Sequence, residues 1–279
     1  MKNVQSKPKD SEATDIVTGE VTIQQARCEH AQGISTAIRS GFEPAFLQAT
    51  IYGCAGIANF IASQISLPNR FADTAYTVAL QEDQVVGAVE LRRSPAELFL
   101  NYISLLPQFR GRGLAGRILK GAIDSSMQEG QTRMVLDVSQ DNSRALAWYK
   151  RLGLKSEHRV DWFVIGNAAT GEATCGLVSE YPQAETCHAA YGFSAFGLTT
   201  PSGVYRIGRI NADWFRITQP EALLDPSVLP SLRALDPSRR VLAILDQGAV
   251  PVEIENQGRR WVSKYRMSAD LVQVITNLS

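Results

Sequence analysis

One run of residues is equipped to hold phosphate: Pro107-Gln108-Phe109-Arg110-Gly111-Arg112-Gly113-Leu114-Ala115-Gly116. An apolar stretch precedes it and a helical pattern follows. Such a turn aims several backbone N–H groups at one point, beside the positive end of a helix dipole. Glycines let the main chain approach a ligand closely. Arg110 and Arg112 add charge in the same place, which suits a phosphate or pyrophosphate. Two ligand classes compete. Gly111-x-Gly113-x-x-Gly116 formally matches the dinucleotide fingerprint, with Asp137 about 20 residues on. Against that reading, Pro107 to Arg110 separate the strand from the first glycine. The turn also lies about 100 residues into the chain, behind a hairpin, and not at the start of a βαβ unit.

The elements that must carry this turn follow from apolar period and breakers. Val21–Arg27 reads as a strand and Glu29–Gly41 as a helix, with Ile34, Ala37, Ile38 and Phe42 at helical spacing. A second helical region lies near Pro44–Ile65. Ala75–Leu91 reads as a hairpin around Gln81-Glu82-Asp83-Gln84. Leu98–Leu106 is an apolar strand stopped by Pro107. Leu114–Met127 is a helix with Leu114, Ile118, Leu119, Ala122 and Ile123 on one face. A strand at Arg133–Val138, a helix at Ser143–Leu152 capped by Gly153, and a strand at Val160–Ile165 complete this part. Gly166–Thr174 is small, polar and glycine-bearing, the best candidate boundary. Beyond it come strand-like runs at Tyr205–Ile210, Trp214–Thr218, Val241–Leu245 and Trp261–Met267, and a helical run at Leu229–Leu235. No strict repeat is present, but their order loosely echoes the second half of the first part.

Composition sets the outer limits. Lys plus Arg and Asp plus Glu are equal at 28 each, which argues against a general nucleic-acid or anionic-membrane binder. Four dispersed cysteines without a C-x-x-C pair, and three histidines, give no metal site and no disulfide framework. His30, His158 and His188 read as surface or helix-edge residues. The first 20 residues lack an apolar core for a secretory signal and read as a flexible tail. Ala45–Leu67 is interrupted by polar residues and reads as a buried or cleft-lining segment, not a membrane span. The expected compartment is the cytoplasm.

Gln108-x-x-Gly111-x-Gly113-Leu114-Ala115 resembles the acetyl-CoA signature of the GNAT superfamily of N-acetyltransferases. Asn142 to Leu154 is similar to that family's later helix, which carries Asn, then Tyr, then Leu-Gly-Phe; Leu154 stands in place of the common Phe. The resemblance covers about residues 21–165. It implies an α+β fold: a mixed, mostly antiparallel twisted sheet flanked by helices, whose central strands part to admit CoA. Residues 166–279 would form a smaller α+β domain, with a degenerate GNAT-like copy as one reading. The implied cofactor-binding residues are Gln108, Phe109, Arg110, Gly111, Arg112, Gly113, Leu114 and Ala115 for the pyrophosphate. Ile103 and Leu105 supply backbone to the pantetheine amides, and Asn142 reaches the same arm. The implied partners are acetyl-CoA and an amine acceptor, a small molecule first and a protein lysine or N-terminus second. No metal is expected, and a homodimer stays open.

Acetyl transfer to an amine needs a neutral nucleophile, although at pH 7 only about one lysine-type amine in 10³ is uncharged. It also needs a proton for the leaving thiolate. Tyr149, two helical turns from Asn142, is the expected general acid, because a phenol with a pKa near 10 keeps its proton at pH 7. For the base, Glu97 at the start of its strand and Glu90 on the hairpin are candidates, and a water chain ending on backbone groups is equally open. Asn101 and Tyr102 stand where relatives carry a Glu. The alternatives to catalysis are a non-catalytic acyl-CoA sensor and, third, a nicotinamide-dependent oxidoreductase.

Overall fold

The computed structural model describes residues 19–68, 70–166 and 176–279. Most of the expected tail (1–20) and of the expected boundary (166–174) lies outside these residues. The first half runs β1 (Val21–Gln25), α1 (Ala31–Arg39), α2 (Pro44–Leu47), α3 (Ile57–Ile65), β2 (Thr74–Gln81), β3 (Gln84–Arg93), β4 (Glu97–Leu105), α4 (Leu114–Ser126), β5 (Arg133–Ser139), α5 (Ser143–Arg151) and β6 (Lys155–Ile165). The second runs β7 (Leu177–Ser179), α6 (Tyr181–Tyr191), β8 (Phe193–Thr200), β9 (Gly203–Ile210), β10 (Trp214–Ile217), α7 (Pro220–Leu224), α8 (Val228–Leu235), β11 (Arg240–Asp246), α9 (Val252–Gln257), β12 (Arg259–Asp270) and α10 (Leu271–Leu278).

These elements form where local chemistry asks for them. Glu82 and Asp83 take positive φ, 48° and 65°, so the two-residue β2–β3 turn has the hand that matches strand twist. α4 buries Leu114, Ile118, Leu119, Ala122 and Ile123, the stripe expected from the sequence. After α5, Gly153 at φ 95° lets Leu154 N–H bond back to Tyr149 O at 3.1 Å, which closes the helix. Asp270 accepts from the N–H groups of Val272 and Gln273. That cap turns the β-branched run after it into α10.

The strands make one 12-stranded sheet among the described residues, in the order β1-β2-β3-β4-β5-β12-β6-β11-β10-β9-β8-β7. Replacing each strand of one half by its counterpart in the other returns the same order reversed. In both halves the first four strands pair antiparallel and the fourth and fifth pair parallel, β4 with β5 and β10 with β11. The second half is therefore a degenerate copy of the first. Its sequence shows no repeat because only the pattern of elements has been kept.

The two halves exchange their last strands. β12 lies against β5 and β6 lies against β11, with β6 and β12 side by side at the centre. α10 follows β12 into the first half, where Leu271 and Val274 join the core of α4, α5 and the sheet. That core covers one face. α1 and α3 cover the other face of β2–β4 through Ile34, Ile38 and Ile61, joined by Tyr52 from the 3-10 turn before α3. Between the halves lies an aromatic seam: Phe46 against Trp162 at 5.1 Å, and Trp214 stacked on Trp261 at 6.0 Å. The aromatic residues between 191 and 215 divide here. Tyr205, Phe196 and Phe215 fill the second core, whereas Trp214, Tyr191 and Phe193 meet the seam or Phe60 of the first half.

Candidate active site

The glycine turn follows β4. Pro107–Phe109 make one 3-10 turn, and Gly113 is the N-cap of α4. Gly111 and Gly113 hold φ of 79° and 74°, a region that L side chains enter only at a cost. Among the described residues, the N–H groups of Gly111, Arg112, Gly113, Leu114 and Ala115 meet no acceptor. A Cβ built on Gly113 would meet nothing within 4 Å, so the turn opens outward. Five unsatisfied donors at a helix start form an anion cradle. Phe109 is buried and Gln108 exposed. The two arginines have different positions. Arg112 is exposed. Arg110 donates from Nε to Leu105 O at 2.8 Å and from Nη2 to Ser40 O at 2.9 Å. Its guanidinium is a brace between the end of β4 and the end of α1, not the second free charge that spacing suggested.

Next to the turn the sheet parts. β4 and β5 pair only from Glu97 opposite Arg133 to Leu100 opposite Leu136. Beyond that point β4 continues to Leu105 without a partner on that side. A β-bulge starts the divergence: Glu90 faces Tyr102 and Leu91 faces Leu100, so Asn101 is the extra residue. Bulges bend a strand and re-aim its side chains. Ile103 thus offers unpaired main chain along a wedge, and Leu105 its N–H, since the Leu105 carbonyl already takes Arg110 Nε; backbone donors and acceptors there need partners. Tyr149 on α5 is 7% exposed, and burial pushes its phenol well up. Its hydroxyl has no partner among the described residues. Asn142 caps α5, its Oδ1 taking Ala145 N–H at 3.1 Å. That leaves only its amide N–H groups for anything else.

Of the two candidate bases, the structure brings Glu90 near and leaves Glu97 away. Glu97 begins β4, at the closed end of the wedge, with Arg133 Nη1 at 2.5 Å. Glu90 is 2% exposed and fully engaged. Tyr52 donates to Oε2 at 2.5 Å, Asn101 Nδ2 to Oε1 at 2.6 Å, and Arg92 Nε lies 3.4 Å from Oε1. A carboxyl group with donors on both oxygens holds its neighbours in place, and neither oxygen is free to face a substrate amine. Burial together with Glu90 drives the Tyr52 hydroxyl well above the usual phenol range. Tyr52 therefore stays a donor.

Sequence reasoning missed what the second half and the exchanged strand add. On β12, Lys264 stands opposite Ser139 of β5, and Arg266 opposite Asp137. Arg266 clamps the Asp137 carboxylate through two nitrogens and covers the Phe99 ring at 5.3 Å. Asp137 is thus an ion-pair partner, not a ribose ligand. Lys264 Nζ sits over Trp162 at 4.5 Å and Phe46 at 4.9 Å. Burial pulls it down to about 8 against an opposing pull from Asp137. Its only local signal was a strand-like run near the C-terminus. Of the histidines, His30 is buried, its Nδ1 accepting Arg27 N–H at 3.0 Å. It stands at the N-cap of α1, so of the two expected placements, surface or helix edge, it takes the helix edge. No group of three or more potential metal-ligating residues occurs among the described residues, and no helix there is long and apolar enough to cross a membrane.

Residues 51–154 match the model of the Acetyltransferase (GNAT) family. Among curated proteins, N-alpha-acetyltransferase 30 of Schizosaccharomyces pombe is 27% identical over 81 residues, 27% of this chain and 54% of that protein. The match thus spans about half the relative's length. An uncharacterized N-acetyltransferase of Mycobacterium tuberculosis is 29% identical over 106 residues, 36% of this chain and 67% of that protein. Among solved structures, a tandem GNAT protein from the clavulanic acid biosynthesis pathway has a TM-score of 0.65 at 14% identity. It covers 90% of this chain and 98% of its own, so the likeness in fold extends over both halves.

Proposed function

We propose, from the match of residues 51–154 to the GNAT acetyltransferase family model, that the chain moves the acetyl group of acetyl-CoA to a primary amine by direct attack. The observation that carries this is the parting of β4 and β5 beside a turn with five unengaged amides. A linear amide-bearing arm that ends in a diphosphate needs both features. The residues fit it in order. Gly111 to Ala115 supply donors for the diphosphate, and the β4 main chain at Ile103 and Leu105 supplies partners for the arm. When bound, acetyl-CoA supplies the activated acetyl group.

Tyr149 is the group that gives a proton to the departing thiolate. Its burial keeps the phenol protonated at any working pH, and no protein partner among the described residues competes for its hydroxyl. Glu90 holds Tyr52 and the bulge residue Asn101, and so keeps the wedge open. The amine is held neutral by its surroundings: near Arg92 and Lys264 a further positive charge is disfavoured. After attack the nitrogen sheds one proton to water, the C–S bond breaks, and Tyr149, having protonated the thiolate, regains a proton from solvent.

A thiol-release assay with acetyl-CoA and a panel of amines, beside calorimetry of CoA binding, tests the proposal. CoA binding with turnover on at least one amine is expected. CoA binding with no turnover on any amine would leave an acyl-CoA sensor, and absence of CoA binding would remove both. Against the dinucleotide reading, Asp137 is held by Arg266; the turn does lie between β4 and α4 of a parallel β4–α4–β5 unit, but a 3-10 turn at Pro107–Phe109 separates the strand from the first glycine.

A further inference from the structure

Two helices begin side by side, and neither carries an acidic residue in its first turn. α4 starts at the glycine turn and α5 at Asn142. Arg144, in the first turn of α5, reaches across the gap: a Cβ built on Gly111 would lie 3.9 Å from Arg144 Nη2 and meet nothing closer. Arg144 is exposed. Among the described residues its guanidinium has no hydrogen-bond acceptor and no carboxylate within ion-pair distance, Asp141 included. A cation at a helix start opposes the helix dipole. This one also stands beside the five unengaged amides of a second helix start, next to exposed Arg112. Positive ends gathered without a counter-charge cost stability unless an anion binds there.

α5 is also lightly held. Of its nine residues only Tyr149 is buried, and Ser143 and Arg144 are exposed. Segments with few buried contacts open most readily. Tyr149 lies five residues beyond Arg144, about 7.5 Å along the helix axis. Its hydroxyl has no partner inside the protein among the described residues, so its alignment depends on where α5 sits. A misplacement of about 1 Å is enough to cost most of a group's catalytic effect.

We propose that Arg144 binds the diphosphate of CoA from the α5 side of the turn, and that this contact fixes α5 and so positions Tyr149. This rests on the acetyltransferase reading for the role of Tyr149, but not for the phosphate contact. Arg144 supplies the second guanidinium that Arg110, committed as a brace, does not. It is a binding and positioning residue, and acts on the chemistry through Tyr149.

Kinetics at low ionic strength compare acetyl-CoA with acetyl-pantetheine, which keeps the thioester arm and lacks the diphosphate. The proteins are the intact chain, Arg144→Ala and Arg144→Lys. Without CoA their melting temperatures should agree, because Arg144 has no protein partner to lose. With acetyl-CoA, Arg144→Ala should raise KM and lower kcat, each by on the order of 10-fold, and Arg144→Lys should restore part of both. With acetyl-pantetheine the three proteins should behave alike. Equal losses on both thioesters, a loss confined to KM, or no loss at all overturns the proposal. If no amine is acetylated, the acetyltransferase reading fails on its own, and binding decides the phosphate contact. Calorimetry should then show Arg144→Ala weakening CoA and dephospho-CoA equally. A drop for CoA alone would move Arg144 to the 3′-phosphate and overturn the assignment, as would no drop or no binding. Hydrogen exchange read by mass spectrometry should show CoA slowing the α5 amides in the intact chain and not in Arg144→Ala. Exchange in α5 that ignores CoA, or slows equally in both proteins, overturns the positioning role.

Discussion

Tyr149 is buried and Lys264 half-buried, and the fold has shifted the protonation of both, in opposite senses for function. A phenol kept neutral by burial remains a donor, so replacing Tyr149 with Phe keeps the packing and removes only the proton. Turnover should fall by ~10- to 10³-fold with CoA affinity nearly unchanged. Steady-state kinetics beside calorimetry reads this, and unchanged turnover would take Tyr149 out of the mechanism. Lys264 is pulled from 10.5 to about 8, which amounts to at most about 3 kcal/mol of disfavoured charge. Below pH 8 the ammonium exists in folded and unfolded chains alike, and its burial cost is felt in full. Between about pH 8 and 10.5 the unfolded chain holds a proton that the folded one lacks, so stability from this residue rises with pH. Lys264→Met should therefore stabilise the protein by about 1–3 kcal/mol at pH 7, with the gain shrinking toward zero by about pH 10. Urea midpoints of the two proteins across that range check it, and a gain that does not depend on pH would show that packing is the cause.

The glycine turn and its two arginines show how an element divides labour between residues of the same type. Arg110 bridges Leu105 O and Ser40 O, and its replacement by Ala leaves two carbonyls without a donor. The expected cost is about 1–3 kcal/mol of stability, with a smaller effect on CoA. Arg112, exposed beside the open amides, should do the reverse. Arg112→Ala should weaken CoA several-fold at low ionic strength and much less at high salt, with an unchanged melting temperature. Calorimetric CoA titrations at two salt concentrations, with thermal melts of each variant, separate the two, and equal behaviour would merge their roles. The turn itself was legible because strand end, glycines and helix start are contiguous. So were the α4 stripe, the β2–β3 turn and the Gly153 cap, each set by neighbours a few residues away. α6 was not, because Tyr181–Tyr191 buries only Ala184 and so shows no apolar face. α10 was missed because Val272, Val274 and Ile275 favour a strand, and only the Asp270 cap decides for a helix. The division of Arg110 from Arg112 was equally hidden, since it depends on Ser40, remote in sequence.

At the scale of the molecule, the exchange of β6 and β12 makes each half depend on the other. A strand pairing that joins Arg266 to Asp137, 129 residues apart, leaves no trace in local periodicity. For that reason a boundary near 166 looked like the end of a self-contained unit. A chain ending at residue 258 would lose β12 and α10 together. The edges of β5 and β6 would be left with unpaired backbone, and Met267, Leu271 and Val274 would be missing from the first core. Losing those three buried side chains alone forfeits several kcal/mol at about 1.5–3 kcal/mol each, comparable with the whole stability of an ordinary domain. Residues 1–258 should therefore fail to fold as a monomer, although the glycine turn, Tyr149 and Glu90 are all retained. In the intact chain the halves should unfold as one unit. Urea transitions followed by far-UV circular dichroism and by the fluorescence of Trp162, Trp214 and Trp261 in the seam should coincide. Two separated transitions, or a folded 1–258 fragment that still binds CoA, would mean that the exchanged strand decorates the first half without completing it.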